Sequence, residues 1–70
     1  MKYTLEKARL KSNISTKEVA NSLGISVNTY MEYERYKKIF RMDQALEFAK
    51  VVQLSLDDII FFSIEDTEKL

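Results

Sequence analysis

A single glycine, Gly24, and no proline at all stand in a chain of 70 residues. Glycine is the residue that reaches positive φ without a Cβ clash, so a chain with only one has a privileged place for a sharp reversal. Gly24 lies in Glu18-Val-Ala-Asn-Ser-Leu-Gly-Ile-Ser-Val-Asn-Thr-Tyr30. Ser15-Thr-Lys-Glu18 upstream reads as a capping box, with Ile14 and Val19 at the spacing of a hydrophobic staple. Ser26 reads as a second N-cap, with Ile25 and Tyr30 as its staple. One helix therefore ends at Leu23, the next begins after Ser26, and Gly24 supplies the left-handed residue at the C-terminus of the first. Two short helices joined by a glycine turn make a helix-turn-helix unit.

Apolar residues elsewhere recur at helical spacing, which predicts an all-α single domain over residues 1–70, a compact bundle of five short helices. Their expected bounds are 4–11, 16–23, 27–36, 42–52 and 56–61, with Ser55 and Asp58 capping the fifth as Ser15 and Glu18 cap the second. A domain of this size buries only about 60% of its unfolded surface, so every element must share one core. The chain has no cysteine and no histidine, which excludes a disulfide framework, a zinc site and a thiol or imidazole catalyst. Asp57 and Asp58 are adjacent on a helix and point apart, so no carboxylate pair is placed for acid and base work. The expectation is a non-enzyme with no cofactor and no metal. The longest apolar run, Ile59 to Phe62, falls far short of the roughly 20 residues that span a bilayer, so no membrane partner is expected and the compartment is cytoplasmic.

Formal net charge is zero, but its distribution is uneven. Residues 1–41 hold nine bases and four acids, whereas residues 42–70 hold two bases and seven acids. Such asymmetry within one domain fits a basic face turned to a polyanion, and equally two solvated faces without a partner.

Ile14-Ser-Thr-Lys-Glu-Val-Ala, Leu23-Gly-Ile-Ser, Tyr33-Glu34, Met42-Asp-Gln-Ala-Leu-Glu-Phe-Ala-Lys and Leu54-Ser-Leu-Asp-Asp-Ile, in this order and spacing, resemble the lambda repressor and Cro-like helix-turn-helix domains, also called the xenobiotic-response-element family. The resemblance runs from about Leu5 to Ile60. It implies that the third helix enters the major groove of duplex DNA, with two copies on a pseudo-palindrome. Carried over by position, the base contacts are Val27, Asn28 and Glu32, and the backbone contacts are Thr16, Lys17, Thr29, Arg35, Lys37 and Lys38. Asn28 suits an adenine edge, Val27 a thymine methyl and Glu32 a cytosine amine. Arg9 and Glu34 correspond to a pair that fixes the angle between helices one and three.

The chain also departs from the family. Threonine replaces glutamine at Thr16, and Tyr36 stands where glycine is usual. A tyrosine at positive φ is strained, so helix three is expected to run on toward Lys38 or close differently. Phe40 and Gln53 replace a proline and a glycine. Phe61 and Phe62 cannot both face one small core, so at least one of Phe61, Phe62 and Ile64 is expected to be exposed in a monomer; the three form the expected homodimer seam, the alternative being a tail folded back on its own core. The resulting expectation is a sequence-specific DNA-binding transcriptional repressor of phage or mobile-element type; the alternative is a protein-interaction module on the same fold, such as an antitoxin or partner subunit.

Overall fold

The computed structural model describes residues 2–62. Four α-helices follow a two-residue strand: β1 (Tyr3–Thr4), α1 (Leu5–Lys11), α2 (Thr16–Leu23), α3 (Val27–Glu34) and α4 (Met42–Val52). A single 3-10 turn (Leu56–Asp58) then leads into β2 (Ile59–Ile60). The helices begin where their caps place them. Thr4 Oγ1 accepts from Lys7 N at 3.2 Å, Ser15 Oγ from Glu18 N at 3.1 Å and Ser26 Oγ from Thr29 N at 3.1 Å. Glu18 returns the bond, its Oε1 accepting from Ser15 N at 3.1 Å, which completes the capping box. Thr4 is thus a cap and not the first helical residue.

The expected fifth helix is not formed, and the fold is not purely helical. Ser55 does not cap: its hydroxyl donates to Asp58 Oδ2 at 2.9 Å, while Asp58 N bonds Ser55 O at 3.0 Å, which closes one tight turn. Ile59, Ile60 and Phe61 then favour extension, and Tyr3–Thr4 offers an edge. β2 pairs with β1 in parallel, Tyr3 opposite Ile59 and Thr4 opposite Ile60. Burial alternates as in a strand, with Ile59 and Phe61 turned to the core and Phe62 to solvent.

The core is built around aromatic rings. Phe40, in the connection before α4, stacks on Tyr33 with centroids 4.2 Å apart and lies 5.6 Å from Phe48, and Phe61 meets Phe40 and Phe48 edge-on at 6.3 Å. Leu5 and Ala8 of α1, Val19 and Ala20 of α2, Tyr30 of α3 and Ala45, Ala49 and Val52 of α4 close around them. The alanines let the helix axes approach closely.

Every helix closes through one left-handed residue: Asn13 at φ 58°, Gly24 at 71°, Tyr36 at 62° and Gln53 at 58°. In each case the two amides at and after that residue turn back onto the last turn. For α3, Tyr36 N bonds Tyr33 O at 2.9 Å and Lys37 N bonds Glu32 O at 2.8 Å. Only Gly24 adopts this conformation freely; for the others it costs about 1 kcal/mol. After Asn13, Gly24 and Gln53 come Ile14, Ile25 and Leu54, which pack on the core and offset the strain. After Tyr36 comes Lys37, which is exposed.

Tyr36 compensates with its own side chain. Its hydroxyl donates to Ile60 O at 2.6 Å and accepts from Leu5 N at 3.2 Å, joining the end of α3 to β2 and to the first turn of α1. Burial raises the phenol above its ordinary ionisation range, so it remains a donor. Helix three therefore ends at Glu34, two residues earlier than expected, with a tyrosine in the conformation that strain alone argues against.

Arg9 and Glu34 tie the same helix to α1. Arg9 Nε donates to Glu34 Oε2 at 2.7 Å, Nη2 to Oε1 at 3.4 Å and Nη1 to Ile14 O at 3.1 Å, while Tyr30 Oη donates to Glu34 Oε2 at 2.6 Å. The two charged side chains are only 11% and 4% exposed, so each depends on the other for its lost water.

Replacing Gln53 with glycine should relieve backbone strain and raise the melting temperature by several degrees, since about 1 kcal/mol corresponds to roughly 4–8 °C in a domain of this size. Tyr36→Gly relieves the same strain yet should lower it, because two bonds and a core contact go with the ring; calorimetry on the two variants checks the contrast. Burial and the bond to Glu34 raise the Tyr30 phenol above its ordinary value of 10.0, so the folded chain holds that proton more tightly than the unfolded one. This stabilisation is complete below pH 10 and is lost as pH rises further. Denaturant titrations should show stability falling above about pH 10 with a shallower fall in Tyr30→Phe, which should also be less stable at neutral pH by about 1–3 kcal/mol.

Candidate nucleic-acid interface

Helices α2 and α3 pack against each other across Gly24, Ile25 and Ser26. Burial of Tyr30 and Tyr33 determines which side of α3 faces out. Asn28, Glu32 and Arg35 follow at helical spacing on the opposite side, Asn28 and Arg35 exposed and Glu32 half-buried. Val27, 37% exposed, lies at the rim of this face in the first turn.

The start of α3 leaves one hydroxyl proton free. Ser26 Oγ donates to Thr29 Oγ1 at 2.9 Å, so the Thr29 hydroxyl is accepting and its own proton can go to an outside oxygen. At the start of α2, Thr16 is half-buried and Lys17 exposed, beside amides of the first turn that have no helical partner. Anions are favoured at such an end.

Beyond α3, the closure through Tyr36 takes the chain off the helix axis, with Lys37 and Lys38 both bonding Glu32 O through their amides. The Lys38 ammonium also lies 3.3 Å from Glu32 Oε1. A carboxylate that would repel phosphates is thereby partly neutralised by a cation of its own chain, in a half-exposed pair that holds Lys38 only weakly. Lys17, Arg35 and Lys37 have no carboxylate partner among the described residues.

The structure thus carries Val27, Asn28, Glu32 and Arg35 on one side of α3, with Thr16 and Lys17 in the first turn of α2, which packs on α3, and Lys37 and Lys38 in the segment just beyond the end of α3. It does not assemble the three tail residues. Phe61 is turned inward against Phe40 and Phe48, Phe62 is 54% exposed, and Ile64 lies outside the described residues. Period-two burial from Ile59 to Phe62 is the sequence pattern that separates the two phenylalanines. Tyr36, which positions the end of α3, is the residue missed by sequence reasoning. A glycine-type position filled by a residue with a hydrogen-bonding tip was its only trace.

Among the described residues no three metal-ligating side chains gather, and no helix is long and apolar enough to cross a membrane. No curated protein and no solved structure matches the chain significantly. The helix-turn-helix family model HTH_3 matches residues 5–59, well over half the sequence. With the cap at Ser15, the turn at Gly24 and the outward face of α3 all inside the matched region, the chain belongs to the lambda repressor-like helix-turn-helix family.

Proposed function

We propose that this chain is a sequence-specific duplex-DNA-binding transcriptional regulator, that α2 and α3 form its helix-turn-helix unit, and that α3 is the helix laid in the major groove. The observation that carries the reading is the outward face of α3, which among the described residues has no packing partner, together with the cations Lys17, Arg35 and Lys37, which have no carboxylate partner among those residues. Asn28 is long enough to pair with both adenine edge groups, and Val27 meets a thymine methyl. Glu32 has Oε1 engaged by Lys38, which leaves Oε2 to accept from a cytosine amine. The α2 amides with Thr16 and Lys17 hold one phosphate, and Thr29, Arg35 and Lys37 hold others, so backbone contacts set register while three side chains read bases. Lys38 joins them when a phosphate draws it from Glu32.

Two copies on an inverted repeat would place two α3 helices about 34 Å apart, one turn of the duplex. Occupying a promoter in this way represses it, which fits a small cytoplasmic regulator of phage or mobile-element type. Zero net charge and a carboxylate, Glu32, on the α3 face favour one other reading, a protein-interaction module on the same fold, such as an antitoxin or partner subunit, with weak or lost DNA binding.

Salt titration separates the two. Each of Lys17→Ala and Lys37→Ala should lower the slope of log affinity against log salt by about 0.9, with no change in thermal stability. Asn28→Ala should flatten base preference at one position by about 1–3 kcal/mol and leave the salt slope alone. Slopes that do not respond to either lysine would remove the backbone contacts, and with them the proposed face.

A further inference from the structure

Lys37 stands four residues after Tyr33 and seven after Tyr30, the two buried residues of α3. On a helix that ran on, this spacing would carry Lys37 along the buried stripe, away from the side that holds Asn28 and Arg35. The left-handed conformation of Tyr36, φ 62°, prevents it. α3 stops at Glu34, the Lys37 amide turns back to Glu32 O at 2.8 Å, and the Lys37 side chain is exposed. A phosphate-binding cation at this position therefore depends on the closure, and the closure depends on whatever holds residue 36 at positive φ.

Tyrosine does not hold it unaided. Gly24 adopts the conformation freely, and Asn13 and Gln53 are each followed by an apolar residue that packs on the core, but Tyr36 is followed by an exposed lysine. What remains is the Tyr36 side chain, its ring packed against the core and its hydroxyl set between Ile60 O at 2.6 Å and Leu5 N at 3.2 Å. Ile60 lies in β2, Leu5 directly follows β1, and the two strands pair. One oxygen thus joins the end of α3 to the point where residues from opposite ends of the chain meet.

We infer that Tyr36 is a positioning residue for phosphate binding: its hydroxyl, anchored on Ile60 and Leu5, holds the strained turn that presents Lys37 to the duplex. The coupling is reciprocal, since a phosphate on Lys37 favours the closed turn and the closed turn favours the bridge to the strand pair. The inference rests on the reading of the chain as a duplex-binding protein, but the part that concerns the turn is read without DNA.

Amide hydrogen exchange on the full chain, for the unaltered protein, Tyr36→Phe and Tyr36→Gly, is the first measurement. Each protection factor is taken relative to that of the core residue Phe48, so that a loss of global stability alone does not lower it. Leu5 should lose protection in both variants, because its acceptor is gone. Lys37 should lose about tenfold in Tyr36→Phe, which keeps the strain and lacks the bonds, and nothing in Tyr36→Gly, where the turn is unstrained. Binding of a short random-sequence duplex is then followed against salt. The slope of log affinity against log salt should fall by about 0.9 in Tyr36→Phe, as in Lys37→Ala, and hold in Tyr36→Gly. Tyr36→Phe combined with Lys37→Ala should lose no more slope than either alone, and this comparison decides if Tyr36→Gly does not fold. Lys37 protection or a salt slope that fails to separate the phenylalanine from the glycine variant, or additive losses in the double substitution, would overturn the inference. If the unaltered chain binds no duplex at all, the DNA reading falls and takes the positioning role with it; if it binds while the variants behave alike, the inference falls alone.

Discussion

The carboxylate of Glu34 is the group on which the arrangement of this small domain depends. At 4% exposure it cannot remain charged without partners, and Arg9 and Tyr30 supply them from α1 and from one turn earlier on α3. Arg9 also holds Ile14 O, so one side chain links α1, the segment leading into α2, and α3. The angle of α3 against the rest is thereby fixed by directional bonds as well as by the fit of Tyr30 and Tyr33 into the core. Removing either charge would leave the other buried and unpaired, a loss of about 3–5 kcal/mol that a domain this small would not withstand.

Economy of backbone is the second constraint. Four helices in so short a chain need four abrupt closures, and the sequence has one glycine for them. Two of the strained closures are offset by an apolar residue that follows and packs inward. The third, at Tyr36, is offset by a phenol that reaches both strands' end of the molecule. This closure matters for the surface as well as the fold, because it directs Lys37 outward and returns Lys38 to Glu32. Fold and charge pattern meet at that point: among the described residues, the same turn that ends α3 pairs Lys38 with a carboxylate and leaves Lys37 without one.

Helix starts were legible in the sequence because caps are local. Ser15 with Glu18, and Ser26, act within three residues of themselves, and Gly24 declares its own conformation. The bounds of α2 and α4 follow from such marks and from periodicity. What failed was non-local. Ser55 and Asp58 have the spacing of a cap, yet Ile59 and Ile60 pair with Tyr3 and Thr4 from the opposite end of the chain. Tyr36 looked too strained for a left-handed closure because its compensation lies in Ile60 and Leu5. The outward face of α3 could be anticipated from periodicity and the family resemblance. The Glu32–Lys38 pair could not, since it exists only once α3 has closed at Tyr36.

The central claim, that the outward face of α3 reads duplex sequence, is tested most directly by selection from a random duplex pool followed by sequencing of the bound fraction. The account predicts enrichment of an inverted repeat with half-sites about one helical turn apart, with adenine and thymine where Asn28 and Val27 would lie. A bound fraction with the composition of the starting pool would contradict it, whatever the affinity.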